Sequence, residues 1–196
     1  VEIYGGILSN SWLDRDLGLA GRVVSSDHSV TLVRIDEAVA RIPQLAIHLD
    51  RDVNERGLIL DKQIHLMPIW GLGDSTDGFF KEWLSSKIGI GSSQIVSWDL
   101  GLYDLTPASL LGSDSSLIAS GRLDNQVSCW AAIEGLIAAK TRGDNSTNCP
   151  VVALFDHEEV GSQSTHGAAG PRLQWLLESL NPRNERSFHE VLSLSH

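Results

Sequence analysis

Two short acidic motifs carry the residue types that metal-assisted chemistry needs. The first is Phe155-Asp156-His157-Glu158-Glu159-Val160-Gly161-Ser162, which starts where the apolar run Pro150-Val151-Val152-Ala153-Leu154-Phe155 ends. Ligand sites in open α/β sheets lie at the carboxyl ends of strands. Of two adjacent glutamates, one can bind a divalent cation while its neighbour stays free as a base toward an attacking water. The same residues also read as a solvated acidic loop. The second motif is Ser120-Gly121-Arg122-Leu123-Asp124-Asn125, at the start of a long helical pattern. An aspartate there reads as a helix cap. It also reads as a carboxylate bridging two metal ions, with both oxygens aimed at one point. Neither motif decides alone; together they offer carboxylates from two strand ends of one sheet, which is how dinuclear sites are built.

The elements that must position these groups fall into two regions. Residues 18–24 and 29–35 are β-branched runs separated by a polar break, a hairpin pattern. Residues 44–49 and 65–70 read as further strands, the second at an edge because of Pro68. Phe79, Phe80, Trp83, Leu84 and Ile88 form one stripe at helical spacing, and residues 94–100 return to strand character. The pattern changes near Thr106-Pro107, and from about Asp114 it reads helix–strand–helix. Residues 125–141 form a long helix with Asp124 or Asn125 as its N-cap. Residues 150–155 read as a strand buried on both faces. Pro171 opens a last helix that runs to Leu180. The expected fold class is α/β: a β-rich domain over residues 1–112, then part of an α/β domain over 113–196 whose remaining strands lie outside this chain.

Composition bounds the function. Of 196 residues, 42% are hydrophobic and 20% charged, as in a globular protein with a core. The net charge of −10 disfavours nucleic acid and anionic lipid as partners. No run approaches the roughly 18 apolar residues of a membrane span. The Val1-Glu2-Ile3-Tyr4 start has no signal core and no initiator Met, which implies a native start elsewhere. Cys129 and Cys149 form neither a disulfide framework nor a zinc-finger spacing, so a reducing, cytoplasmic compartment is expected, with a vacuolar or lysosomal one as the alternative. The Asn145-Ser146-Thr147 sequon reads as a chance occurrence.

Four motifs occur in order: Trp12-Leu13-Asp14-Arg15-Asp16-Leu17-Gly18-Leu19-Ala20-Gly21-Arg22-Val23, Arg41-Ile42-Pro43-Gln44-Leu45-Ala46-Ile47-His48-Leu49, Gly121-Arg122-Leu123-Asp124-Asn125, and Asp156-His157-Glu158-Glu159-Val160-Gly161-Ser162. Over nearly its whole length the chain resembles the M18 metalloaminopeptidases, the aspartyl aminopeptidases above all. The resemblance implies an α/β catalytic domain with a β-rich inserted domain that assembles a homo-oligomer. It implies two zinc ions and removal of N-terminal Asp or Glu from peptides. By the motifs, Asp124 is the implied bridging carboxylate, Glu159 a terminal zinc ligand and Glu158 the general base. The peptide after Asp124 resembles one that is cis in related enzymes. His48 resembles a histidine that reaches a neighbouring subunit's active site; the same residue also reads as a strand histidine with a satisfied hydrogen bond. His157 matches no ligand role.

The family's first histidine ligand and its later aspartate and histidine ligands have no counterpart in these residues. A catalytic zinc takes three protein ligands and a water. The expectation is therefore weak or no zinc binding and negligible peptidase activity for this polypeptide alone. The rival is a non-catalytic assembly module. A metal-independent serine hydrolase is disfavoured, because no Gly-x-Ser-x-Gly elbow occurs.

Overall fold

The computed structural model describes residues 1–73, 76–143, 149–180, 190 and 193. The sequon and His189 and His196 lie outside the described residues. The chain is a mixed α/β structure that divides into two compact units. One comprises Val1 and residues 8–121; the other comprises residues 2–7 and 122–196.

In the first unit, the hairpin pattern becomes β1 (Leu17–Ser25) and β2 (Val30–Ala40), paired antiparallel. The third strand, β3 (Ile95–Asp104), pairs antiparallel with the other side of β1, so the sheet order is β2-β1-β3. Alternation along β1 turns Leu17, Leu19, Val23 and Ser25 inward, and Arg22 outward to pair with Asp99 on β3. A one-turn helix α1 (Val53–Arg56) precedes α2 (Phe79–Ile88), which lays its apolar stripe on the sheet. Leu19, Val23, Val33, Ile35, Leu84 and Ile95 form the core there. Each fully buried aliphatic side chain stabilises the fold by about 1.5–3 kcal/mol. Gly89 ends α2 in the left-handed conformation, its amide donating to Ser85 O. A short hairpin, β4 (Ser109–Leu111) with β5 (Leu117–Ala119), follows.

Two of the four motifs meet in space. Leu13 and Ile42 form a parallel bridge. The Asp14 amide donates to Ile42 O at 2.8 Å, and Asp14 Oδ1 accepts from the Gln44 amide at 3.2 Å. Asp16 pairs with Arg41 at 2.8 Å, and Arg15 with Asp104 at the end of β3. Within the same motif Gly21 has φ +151, and a Cβ there would lie 2.1 Å from Asp99 O. These residues are therefore joinery of the β-rich unit. Burial acts to raise the Asp104 carboxyl, but the Thr106 amide and hydroxyl and the Arg15 guanidinium outweigh it and hold it below its usual range.

Two expected strands are absent. Residues 44–49 run into a turn at 47–49, with the Leu49 amide donating to Ala46 O. These residues are exposed, and no neighbouring strand offers them a ladder. Of residues 65–70, only Ile69 pairs, in an isolated bridge with Arg41. Pro68 has no N–H to extend that bridge. Trp70 instead packs edge-on against Phe79, Phe80 and Trp83.

The second unit contains α3 (Leu123–Thr141) and α4 (Arg172–Leu180). Residues 150–155, expected as a strand buried on both faces, form no ladder, and Val151 and Leu154 are exposed. A strand exists only through ladder bonds to a neighbouring strand, and the described residues of this unit supply none to residues 150–155. The helical periodicity of α3 and α4 was legible, but neither helix has a buried residue.

Candidate metal centre

The Glu-Glu pair sits on a short 3-10 turn, Glu158–Val160. His157 before it has φ +64, and Gly161 and Ser162 after it have φ +94 and +60. Such a turn has three residues per revolution, so adjacent side chains leave it about 120° apart. Glu158 and Glu159 can thus serve two targets, as a ligand and a base must. The turn is closed from within: the Ser162 amide donates to His157 O at 2.9 Å, the Gly161 amide to Glu158 O at 2.8 Å.

The following loop folds back on it. Ser164 Oγ lies 2.6 Å from His157 Nδ1 and accepts from the Gly167 amide at 3.0 Å. The Asp156 amide donates to His166 O, and the Ala169 amide to Ser162 O. Gly167 and Gly170 pass so close to carbonyls of residues 162–165 that a Cβ on either would fall within 2.7 Å of an oxygen. His157 is thus held by Ser164. Sequence reading missed this role for Ser164; its signal was a serine in a histidine- and glycine-rich loop. The segment Tyr4-Gly5-Gly6 was missed as well. Gly5 lies against Glu159, and the adjacent glycines were the available sign.

Asp124 lies two residues after Arg122, which sits at φ +62, and precedes the regular part of α3. The Asp124–Asn125 peptide is cis, as the motif resemblance implies, and both residues have non-helical dihedrals. Helical bonding begins with the Gln126 amide donating to Arg122 O. The expected cap does not form: there is no side-chain cap bond, and Asn125 Oδ1 instead accepts from Cys129 Sγ at 3.2 Å. The distorted start displaces the two side chains from the geometry that reaches the N2 and N3 amides.

Asp124, Glu158 and Glu159 belong to the same compact unit. Among the described residues, none of the three carboxylates has a hydrogen bond or an ion pair. Hard, unengaged carboxylate oxygens fit a divalent cation in kind. In placement they fall short: no three or more His, Cys, Asp or Glu side chains are grouped to hold a metal among the described residues. His48 lies in the other unit, exposed on the turn at 47–49 rather than on a strand.

The family model described as "Aminopeptidase I zinc metalloprotease (M18)" matches residues 1–195. The chain belongs to the M18 aminopeptidase family. A probable M18 family aminopeptidase 2 of Streptomyces coelicolor is 50% identical over 179 residues, 91% of this chain and 41% of that protein. A cryo-EM structure of the Ape4 and Nbr1 complex superposes with TM-score 0.82 at 33% identity, covering 95% of this chain and 40% of that one. The mApe1 dodecamer of S. cerevisiae superposes with TM-score 0.62 at 25% identity, covering 89% and 40%. The chain thus spans about two fifths of these M18 proteins. No helix among the described residues is long and apolar enough to cross a membrane.

Proposed function

We propose that the whole protein to which these residues contribute is a dinuclear zinc aminopeptidase that removes N-terminal Asp or Glu from peptides. The observation that carries this reading is the pair of adjacent, unengaged glutamates on one tight turn, in a chain matched to the M18 family from end to end. Asp124 would bridge the two ions and Glu159 would be a terminal ligand of one. Donors from elsewhere in the whole protein would complete the set. Zinc, when bound, supplies Lewis acidity that lowers the pKa of water toward about 7. Glu158 takes the proton of the attacking water and delivers it to the leaving amine. Ser164, through His157, fixes the entry to the glutamate turn.

Exposed apolar groups on α3 and α4, such as Trp130 and Trp175, support the reading of residues 113–196 as part of a catalytic domain. In the whole protein these faces would pack on the rest of that domain. The β-rich portion, expected over residues 1–112 and compact over residues 8–121, would be the inserted domain that builds a homo-oligomer. The dodecameric state of the S. cerevisiae relative and the exposed aromatic rings of Trp70, Phe79 and Trp98 support that role. His48, exposed on its turn, would then reach a neighbouring subunit's site. A cytoplasmic location belongs to the same proposal and is supported by two free cysteines.

The rival reading, a non-catalytic assembly module, is favoured by one observation: all buried apolar residues among those described lie in the first unit. The two readings part on a simple comparison. The full-length protein should contain zinc and cleave a peptide with N-terminal Asp, while residues 1–196 alone should do neither. A full-length protein with no zinc and no turnover would establish the assembly reading instead.

A further inference from the structure

The segment Glu2–Ile7 belongs to the same compact unit as the Glu158-Glu159 turn, far away in sequence. Gly5 has φ +79, and a Cβ built on it falls 2.8 Å from Glu159 Cβ and 3.2 Å from Glu159 O. Cβ atoms essentially never approach below 3.0 Å, and Glu159's Cβ is not the far end of a flexible side chain. The neighbouring Gly6 is looser, its Cβ position lying 4.0 Å from Glu159 Oε2. Glu159 has no hydrogen bond or ion pair of its own among the described residues. Among the described residues, the backbone of its turn is hydrogen-bonded only within the loop. The bare face of Gly5 is thus a contact that sets Glu159 against a segment distant in sequence.

We infer that Gly5 is a positioning residue for Glu159, fixing where that carboxylate can reach. The inference rests on the reading of Glu159 as a zinc ligand. A Cβ at residue 5 forces residue 5 and Glu159 apart, because neither Glu159 Cβ at 2.8 Å nor Glu159 O at 3.2 Å leaves room for it. Metal–ligand distances in well-formed sites lie within about 0.2 Å of their usual values. Changes behind a ligand typically cost about 10–100-fold in metal affinity. Gly57 provides the control: it also has φ +79, but nothing lies within 4 Å of its Cβ position. Substituting it therefore imposes the cost of a positive φ without the contact.

The test measures zinc affinity of the full-length protein by competition with a chromophoric chelator, with near-ultraviolet circular dichroism reporting the fold. Gly57→Ala should bind zinc like the parent, and Gly6→Ala within about twofold of it. Gly5→Ala should bind at least about tenfold more weakly. Parental affinity in Gly5→Ala beside weak binding in Glu159→Ala would overturn the inference alone. Parental affinity in Glu159→Ala would overturn the ligand assignment and the inference with it. If Gly5→Ala loses the native spectrum, the pair Gly5→Ala with Glu159→Gly removes the opposing Cβ. Recovery of the native spectrum in that pair supports the contact, and continued loss overturns it.

Discussion

At the scale of single residues, the proposed chemistry concentrates in Asp124, Glu158 and Glu159. Replacing Glu158 by Gln in the full-length protein keeps the size and a hydrogen-bonding tip but removes the base. Turnover should fall by about 10²–10⁴-fold, the range of general-base loss, with zinc content unchanged. Steady-state kinetics beside elemental analysis check this; unchanged turnover would refute the assignment. A second residue-scale outcome concerns Asp104. Its folded pKa lies below the usual carboxylate value. Its contribution to stability is therefore complete above the unfolded-state pKa near 3.8 and is lost as pH falls through the lower folded value. Urea midpoints should decline below about pH 4 in the parent, and less steeply in Asp104→Asn. The candidate carboxylates were legible because acidic residues at those positions have ordered motif partners in the sequence. Gly5 and Ser164 were not, because their roles are contacts between segments distant in sequence or folded back across a loop.

At the scale of elements, periodicity served well wherever a neighbour was close in sequence. The β1–β2 hairpin, α2, α3 and α4 all stand near their expected spans. It failed for residues 44–49, 65–70 and 150–155, because strand propensity forms a strand only where a partner supplies the ladder. The cap expected at Asp124 or Asn125 failed for a different reason: the first residues of α3 are held out of helical geometry. The element that matters most for the first unit is α2, whose Leu84 is fully buried against the sheet. Leu84→Ala should destabilise that unit by about 2–5 kcal/mol, read from the urea midpoint of the full-length protein at unchanged m-value. A change within 0.5 kcal/mol would show that α2 does not pack as described.

At the scale of the whole molecule, the two units differ in what they complete. The first has its own apolar core, and its motif residues tie strands and loops together through Asp14, Arg15, Asp16 and Arg41. The second presents carboxylates and apolar helices without burying them. A chain covering about two fifths of its M18 relatives fits that contrast. If His48 acts across a subunit boundary in the whole protein, His48→Ala should lower kcat/KM by about 10–100-fold, a loss of roughly 1.4–2.7 kcal/mol, without loss of zinc. Mixing that variant with Glu158→Gln under subunit exchange should restore part of the activity; no restoration would place His48 outside the neighbouring site. The most direct measurement of the central claim is zinc anomalous scattering from crystals of the full-length protein. Two peaks should appear about 3.5–4 Å apart, with Asp124 between them and Glu159 roughly 2.0–2.2 Å from one. Peaks elsewhere, or Asp124 and Glu159 on opposite sides of the fold, would contradict the account.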